Sequence, residues 1–109
     1  MSTDTTTIKA AELAAGDELA ILIGSATAPN AVAVEHVFAR IMSTTPKAVR
    51  LQLAASRGGD RWLWMPRRAL THLARDGAGV SCKLARWWQP NAVQARAIDA
   101  CREVGVLTA

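Results

Sequence analysis

The chain has no tyrosine and one phenylalanine, so four tryptophans carry almost all of its aromatic volume. Cysteine is nearly as scarce. Cys82 and Cys101 share no CxxC spacing and cannot make the multi-bridge framework of a small secreted domain, so they read as two buried thiols. His36 and His72 are scattered and offer none of the convergent ligand pairs that zinc requires, so neither a metal nor any cofactor is expected. No apolar run approaches the roughly 20 residues that a membrane helix needs. The opening "MSTDTTTIKAAEL" has no basic segment followed by an apolar one, as a secretory signal would. A cytoplasmic protein without a membrane partner is the expectation. Catalytic signatures are missing too. There is no glycine-rich phosphate loop and no Gx-Ser-xG elbow. Asp60 and Asp76 sit at turn positions, and Ser56 has no base placed beside it by sequence. The reading is a protein that is not an enzyme.

Acidic residues are the last shortage, and a local one. Residues 1–39 hold Asp4, Glu12, Asp17, Glu18 and Glu35 against Lys9 alone. Residues 40–86 reverse this, with ten basic side chains against Asp60 and Asp76. Eight of those ten bases are arginine, whose planar guanidinium favours stacked and bidentate contacts. Beyond residue 86 the charges balance, and the whole chain carries +4.

What is present is β-like. A chain of 109 residues is one domain with a modest core. Residues 1–7 read as a polar, disordered tail. Leu13 packs inward, Gly16-Asp17 turns, and Leu19 to Ile23 makes a buried strand. In "AVAVEHVFARIM", Val32, Val34 and Phe38 share one parity while Val37, Ala39 and Ile41 share the other. One strand can bury both sets only through a register shift, expected near Glu35-His36; a helix is the alternative. "AVRLQLA" alternates, with Val49, Leu51 and Leu53 inward. Gly58-Gly59 suits a hairpin, "RWLWM" is the next strand, and Pro66 ends it. "RRALTHLAR" suits one or two helical turns, and "VSCKL" alternates again. At the end, Asn91 and Gln94 have the spacing of a capping box. Val93, Ala97, Ile98, Cys101 and Val104 recur at helical spacing, and Gly105 is placed to end the helix. The expectation is a mainly β fold, a small five-stranded, half-open barrel over residues 8–86, with one helix over 87–109 packed on it.

Three stretches, "AELAAGDEL", "KAVRLQL" and "WMPRRAL", resemble small SH3-like β-barrel proteins of phage, plasmid and prophage origin. Those read as a Leu-x-x-Gly-Asp opening, a "KAVLV" strand, then "WIPKSQI" and a short helix. The matching positions are Leu13, Gly16, Asp17, Lys47, Ala48, Val49, Leu51, Trp64, Met65, Pro66, Arg67 and Leu70. The resemblance implies a barrel scaffold of the kind found in nucleic-acid and mobile-element settings. The chain departs from the pattern at Arg68, where a small polar residue is usual, and at Trp62, a second tryptophan.

Two constellations bear on function. Trp62 and Trp64 share one face of their strand, with Leu63 and Met65 on the other. The tryptophans either stand outside as a stacking surface or are covered by the C-terminal helix and join Trp87-Trp88 in a second core. Of Trp87 and Trp88, neighbours on opposite sides, either one is buried and one exposed as a partner anchor, or both seat the helix. The basic side chains Arg50, Arg57, Arg61, Arg67, Arg68 and Arg86 fall at outward positions or turns near one edge. Such a cluster either contacts phosphates or is a solvated face. The expected function is a nucleic-acid-binding module, for DNA or RNA with little sequence preference, using Arg50, Arg57, Arg61, Trp62, Trp64, Arg67, Arg68, Arg86 and Trp87. The alternative is a protein-interaction module, such as an accessory or inhibitor protein or a homo-oligomer, using the same side chains as hot spots.

Overall fold

The computed structural model of the chain describes residues 6–28, 31–53, 61–77 and 79–108. Its strands are β1 (Thr6–Thr7), β2 (Glu18–Ala28), β3 (Ala31–Thr44), β4 (Ala48–Leu53), β5 (Arg61–Pro66), β6 (Leu70–Asp76), β7 (Gly79–Leu84) and β8 (Glu103–Thr108). One helix, α1 (Ala92–Cys101), precedes β8. The fold is mainly β with one helix near the C-terminus, as expected. The strand number is not five: seven strands run in the order β1-β6-β7-β2-β3-β4-β5, and β8 pairs with β3 off that row. Short 3-10 helices at Ala10–Glu12 and Arg67–Ala69 lie before β2 and between β5 and β6.

The three residues of the second 3-10 helix join β5, at one end of the row, to β6, near the other. A connection that short requires the sheet to roll. No strand ladder joins β5 to β6 or β1 among the described residues, so the roll stays open. Leu19, Ile21, Val37, Ile41, Val49, Leu51, Leu63, Met65, Leu70, Leu73, Val80 and Cys82 fill its inside. β3 is long enough to serve two neighbours along one edge. Its first half pairs with β8 and its second half with β4.

Register shifts decide which side chains enter that core. Leu22 pairs with His36 and Gly24 with Glu35, so Ile23 is the extra residue. The irregularity expected at Glu35-His36 is therefore there, carried by the partner strand. A second shift sits at Met42, between the Ile41–Leu51 and Ser43–Arg50 pairs. Between them Val37, Ala39 and Ile41 face inward, and Phe38 is exposed.

The third shift corrects the sequence reading of "RRALTHLAR". Only Arg67–Ala69 is helical; Leu70–Asp76 is strand. Leu70 and Leu73 are both buried and three residues apart, which imitates a helical period. The ladder reaches the same result by opposing His72 and Leu73 to Cys82 alone. This bulge puts His72 in the left-handed region, at φ 52°, where side chains other than glycine's are disfavoured.

Two further expectations change. Thr6 and Thr7, assigned to the tail, pair with Arg75 and Ala74 of β6. The C-terminal segment is not all helix: α1 ends at Cys101, and Gly105 lies within β8 opposite Val34. A strand takes over because β3 offers an unpaired edge at Ala31–His36, and main-chain pairing there satisfies donors that a frayed helix end would leave to water.

Asn91 caps α1 as expected. Its side chain accepts from the Gln94 backbone N–H at 2.8 Å, and the Gln94 side chain accepts from the Asn91 N–H at 2.9 Å. Ala97, Ile98 and Cys101 face the core, whereas Val93 is exposed. In that first turn it is Gln94 that touches β5, donating through Nε2 to the Trp64 carbonyl at 3.0 Å.

The Leu-x-x-Gly-Asp stretch works as a clasp. Leu13 is buried, and Gly16 turns at φ 94°. The Gly16 N–H donates to the Ile41 carbonyl, and the Ile41 N–H to the Asp17 carbonyl. The Asp17 carboxylate accepts from the Ala14 N–H and from both terminal nitrogens of Arg75, each at 3.0 Å. The hydrogen bond from Arg75 is the main reason its pKa lies below the ordinary value, against the opposing effect of burial.

Candidate functional site

The outer face of β4 and β5 carries the first part of the site. Strand alternation turns Leu63 and Met65 into the core and leaves Trp62 and Trp64 outside, 40% and 46% exposed. The helix leaves them exposed, although Gln94 of α1 bonds the Trp64 carbonyl. The ladder sets their neighbours. Arg40, Gln52 and Trp62 form one outward row, and Ser43, Arg50 and Trp64 the next. Arg50 leans diagonally across, its guanidinium carbon 4.7 Å from the Trp62 ring centroid. That distance is a cation–π contact, and it holds the charge in place over one face of the indole.

Two residues past β5, Arg68 makes a second such pair, 5.3 Å from the Trp87 ring centroid. Trp87 is exposed, while its neighbour Trp88 is buried in the core cluster that also holds Ala97, Ile98 and Cys101. Of the two readings of this pair, the structure takes the one with the adjacent tryptophans on opposite sides. Arg86 is exposed beside Trp87.

The remaining arginines separate. The Arg67 guanidinium donates to three carbonyls: Nε to Thr45 at 2.9 Å, and Nη1 to Ala10 at 2.9 Å and Leu13 at 2.8 Å. It ties the segment before β2 to the β3–β4 turn, so its guanidinium serves the fold. Arg61 is exposed but has the parity of Leu63 and Met65, at the end of the inward row Val80, Leu19, Ala39, Leu53. There its charge acts on Cys101, partly opposing the burial that raises that thiol's pKa. Arg57 lies outside the described residues. Of the other bases, Arg40 pairs with Glu18, Arg75 with Asp17, and Arg102 with Glu35 and Asp99. Arg50, Arg68 and Arg86 enter none of these ion pairs.

Cys82 is buried, and burial pushes its thiol up to about 12, so it is no nucleophile at neutral pH. His36 and His72, far apart in sequence, line one shallow outward groove of about 440 Å³ with Leu22, Phe38, Ser81 and Lys83. Sequence spacing gave no sign of that meeting, because it depends on β7 running parallel to β2. No group of three His, Cys, Asp or Glu side chains converges among the described residues. Among them, too, no helix is long and apolar enough to cross a membrane.

Compared with known proteins, the chain matches no family model, no curated protein and no solved structure.

Proposed function

We propose that this protein is a non-enzymatic nucleic-acid-binding module that uses the outer face of β4–β5 and the adjoining Arg68–Trp87 pair. One observation carries the reading: exposed indoles lie beside guanidinium groups that form no ion pair among the described residues, as Arg50 over Trp62 and Arg68 over Trp87. Cations so placed contact phosphates, and free indole faces stack on bases; neither contact selects a sequence strongly. Arg50, Trp62, Trp64, Arg68, Arg86 and Trp87 form the surface. Arg67 supports it from the fold, and Arg61 is exposed at the start of β5.

The scaffold is an enlarged member of the SH3-like barrels. Supporting this are the short 3-10 helix before β6 and the structural duties of Leu13, Gly16, Asp17 and Arg67, the positions that carry the resemblance. The rolled sheet acts as a rigid platform that presents flat side chains outward.

The test is a titration of labelled DNA and RNA oligonucleotides at two salt concentrations. Binding that weakens steeply as salt rises is expected. Absence of binding at low salt, or affinity indifferent to salt, removes the proposal.

A further inference from the structure

Resting on the nucleic-acid reading, we infer that the ligand is single-stranded, with consecutive bases seated on Trp62 and Trp64. The spacing is the reason. The two indoles are two residues apart on one face of β5, and a strand rises about 3.4 Å per residue, so the platforms repeat at roughly 6.8 Å. Stacked nucleotides repeat at about half that, roughly 3.4 Å along one strand of a duplex. Paired bases also hide both faces against their neighbours, so an indole lying on a sheet can reach only an unpaired or terminal base. A single strand has no partner holding it at the short repeat. It can extend its sugar–phosphate backbone and open a gap at each step, wide enough for an indole.

The surrounding groups fit the same ligand. One face of Trp62 is already taken by Arg50, so base and guanidinium sandwich that indole. Among the described residues no cation is placed over Trp64, which leaves its ring for the next base. The strand then continues past Pro66 to Arg68 and Trp87, where a second cation–π pair stands ready for a phosphate and a further base. Asp76, the described acid of the basic middle segment, lies in β6 and outside the β4–β5 pairing. Duplex binding by a helix in the major groove has no counterpart here, since the exposed site is sheet and α1 buries its apolar face.

The experiment uses the full chain with three fluorescein-labelled probes: a 12-mer of thymidine, the same length of uridine, and a 12-base-pair mixed-sequence duplex. Tryptophan fluorescence is recorded in parallel with unlabelled strands. Both single strands are expected to bind at least tenfold more tightly than the duplex and to quench the emission. Trp64→Ala is expected to weaken single-strand binding roughly five- to 150-fold, the equivalent of the 1–3 kcal/mol of one base stack. Trp64→Phe keeps a ring and is expected to restore most of it. Circular dichroism and a melting curve confirm that each variant is folded, as the exposure of Trp64 leads one to expect. Duplex binding as tight as single-strand binding, or an unchanged affinity in folded Trp64→Ala, overturns the inference while leaving nucleic-acid binding intact. Failure of all three probes to bind at low salt overturns both.

Discussion

Arg67 and Arg68 are adjacent, and the structure assigns them opposite work, which a pair of alanine substitutions separates. Arg67→Ala removes three hydrogen bonds from one guanidinium, each between 2.8 and 2.9 Å. Bonds of this charge-assisted kind contribute about 1.5–3 kcal/mol apiece. They share a donor group, the Thr45 carbonyl returns easily to water, and the freed side chain no longer bears its ordering cost. A net loss of about 2–4 kcal/mol is therefore expected. That is a large part of the 5–15 kcal/mol typical of a domain, and it lowers Tm by about 10–20 °C. Arg67→Lys keeps the charge but not the fork, and is expected to fall between. Arg68→Ala removes only an exposed contact with Trp87, worth about 1 kcal/mol or less. Urea unfolding followed by circular dichroism measures all three. Should Arg67→Ala lie within about 0.5 kcal/mol of the parent chain, or be no worse than Arg68→Ala, the clasp at Ala10, Leu13 and Thr45 is not holding the fold.

The tryptophans divide in the same way. Trp88→Ala is expected to cost about 3–5 kcal/mol in urea unfolding, whereas Trp62→Ala and Trp64→Ala cost about 1 kcal/mol or less; equal losses would place the outer tryptophans in the core. His72→Gly relieves a left-handed backbone position on an exposed side chain, so the variant is expected to gain about 0.5–1 kcal/mol; a lower denaturation midpoint would mean that the imidazole holds the bulge. The Asp17 clasp makes stability fall in acid. Its folded pKa is lowered by Arg75, so its contribution is complete above the unfolded value near 4 and disappears as pH drops through the folded value. Melting curves from pH 7 down to pH 2 should show this decline, and Asp17→Asn should flatten it; an unaltered slope in that variant counts against the clasp.

Much of the inside of the rolled sheet was legible because strand alternation is local. Val49, Leu51 and Leu53, Leu63 and Met65, and Val80 and Cys82 each sit two residues apart, and each set enters the core as alternation demands. The capping box was equally readable, since Asn91 and Gln94 lie within one turn of each other. The misreading of Leu70–Asp76 comes from a bulge, which changes parity without marking the sequence. Leu70 and Leu73 resembled a helical face because His72 and Leu73 share one partner. No local pattern announces that β3 will take β8 on the part of its edge that β4 leaves unpaired, which is why Gly105 suited a helix end in sequence and became part of a strand. For the site, composition and order located the arginines and tryptophans in one segment. Their division of labour depended on contacts across 54 and 57 residues of chain, which bind Arg67 into the fold, and on ladder parity, which puts Arg61 on the core side and Arg50 over Trp62. The sequence alone determined the β class, the caps and the charge, all properties of neighbouring residues. Only the tertiary structure decided which guanidinium groups face the solvent, because that depends on which distant carbonyls and indoles the rolled sheet brings within reach.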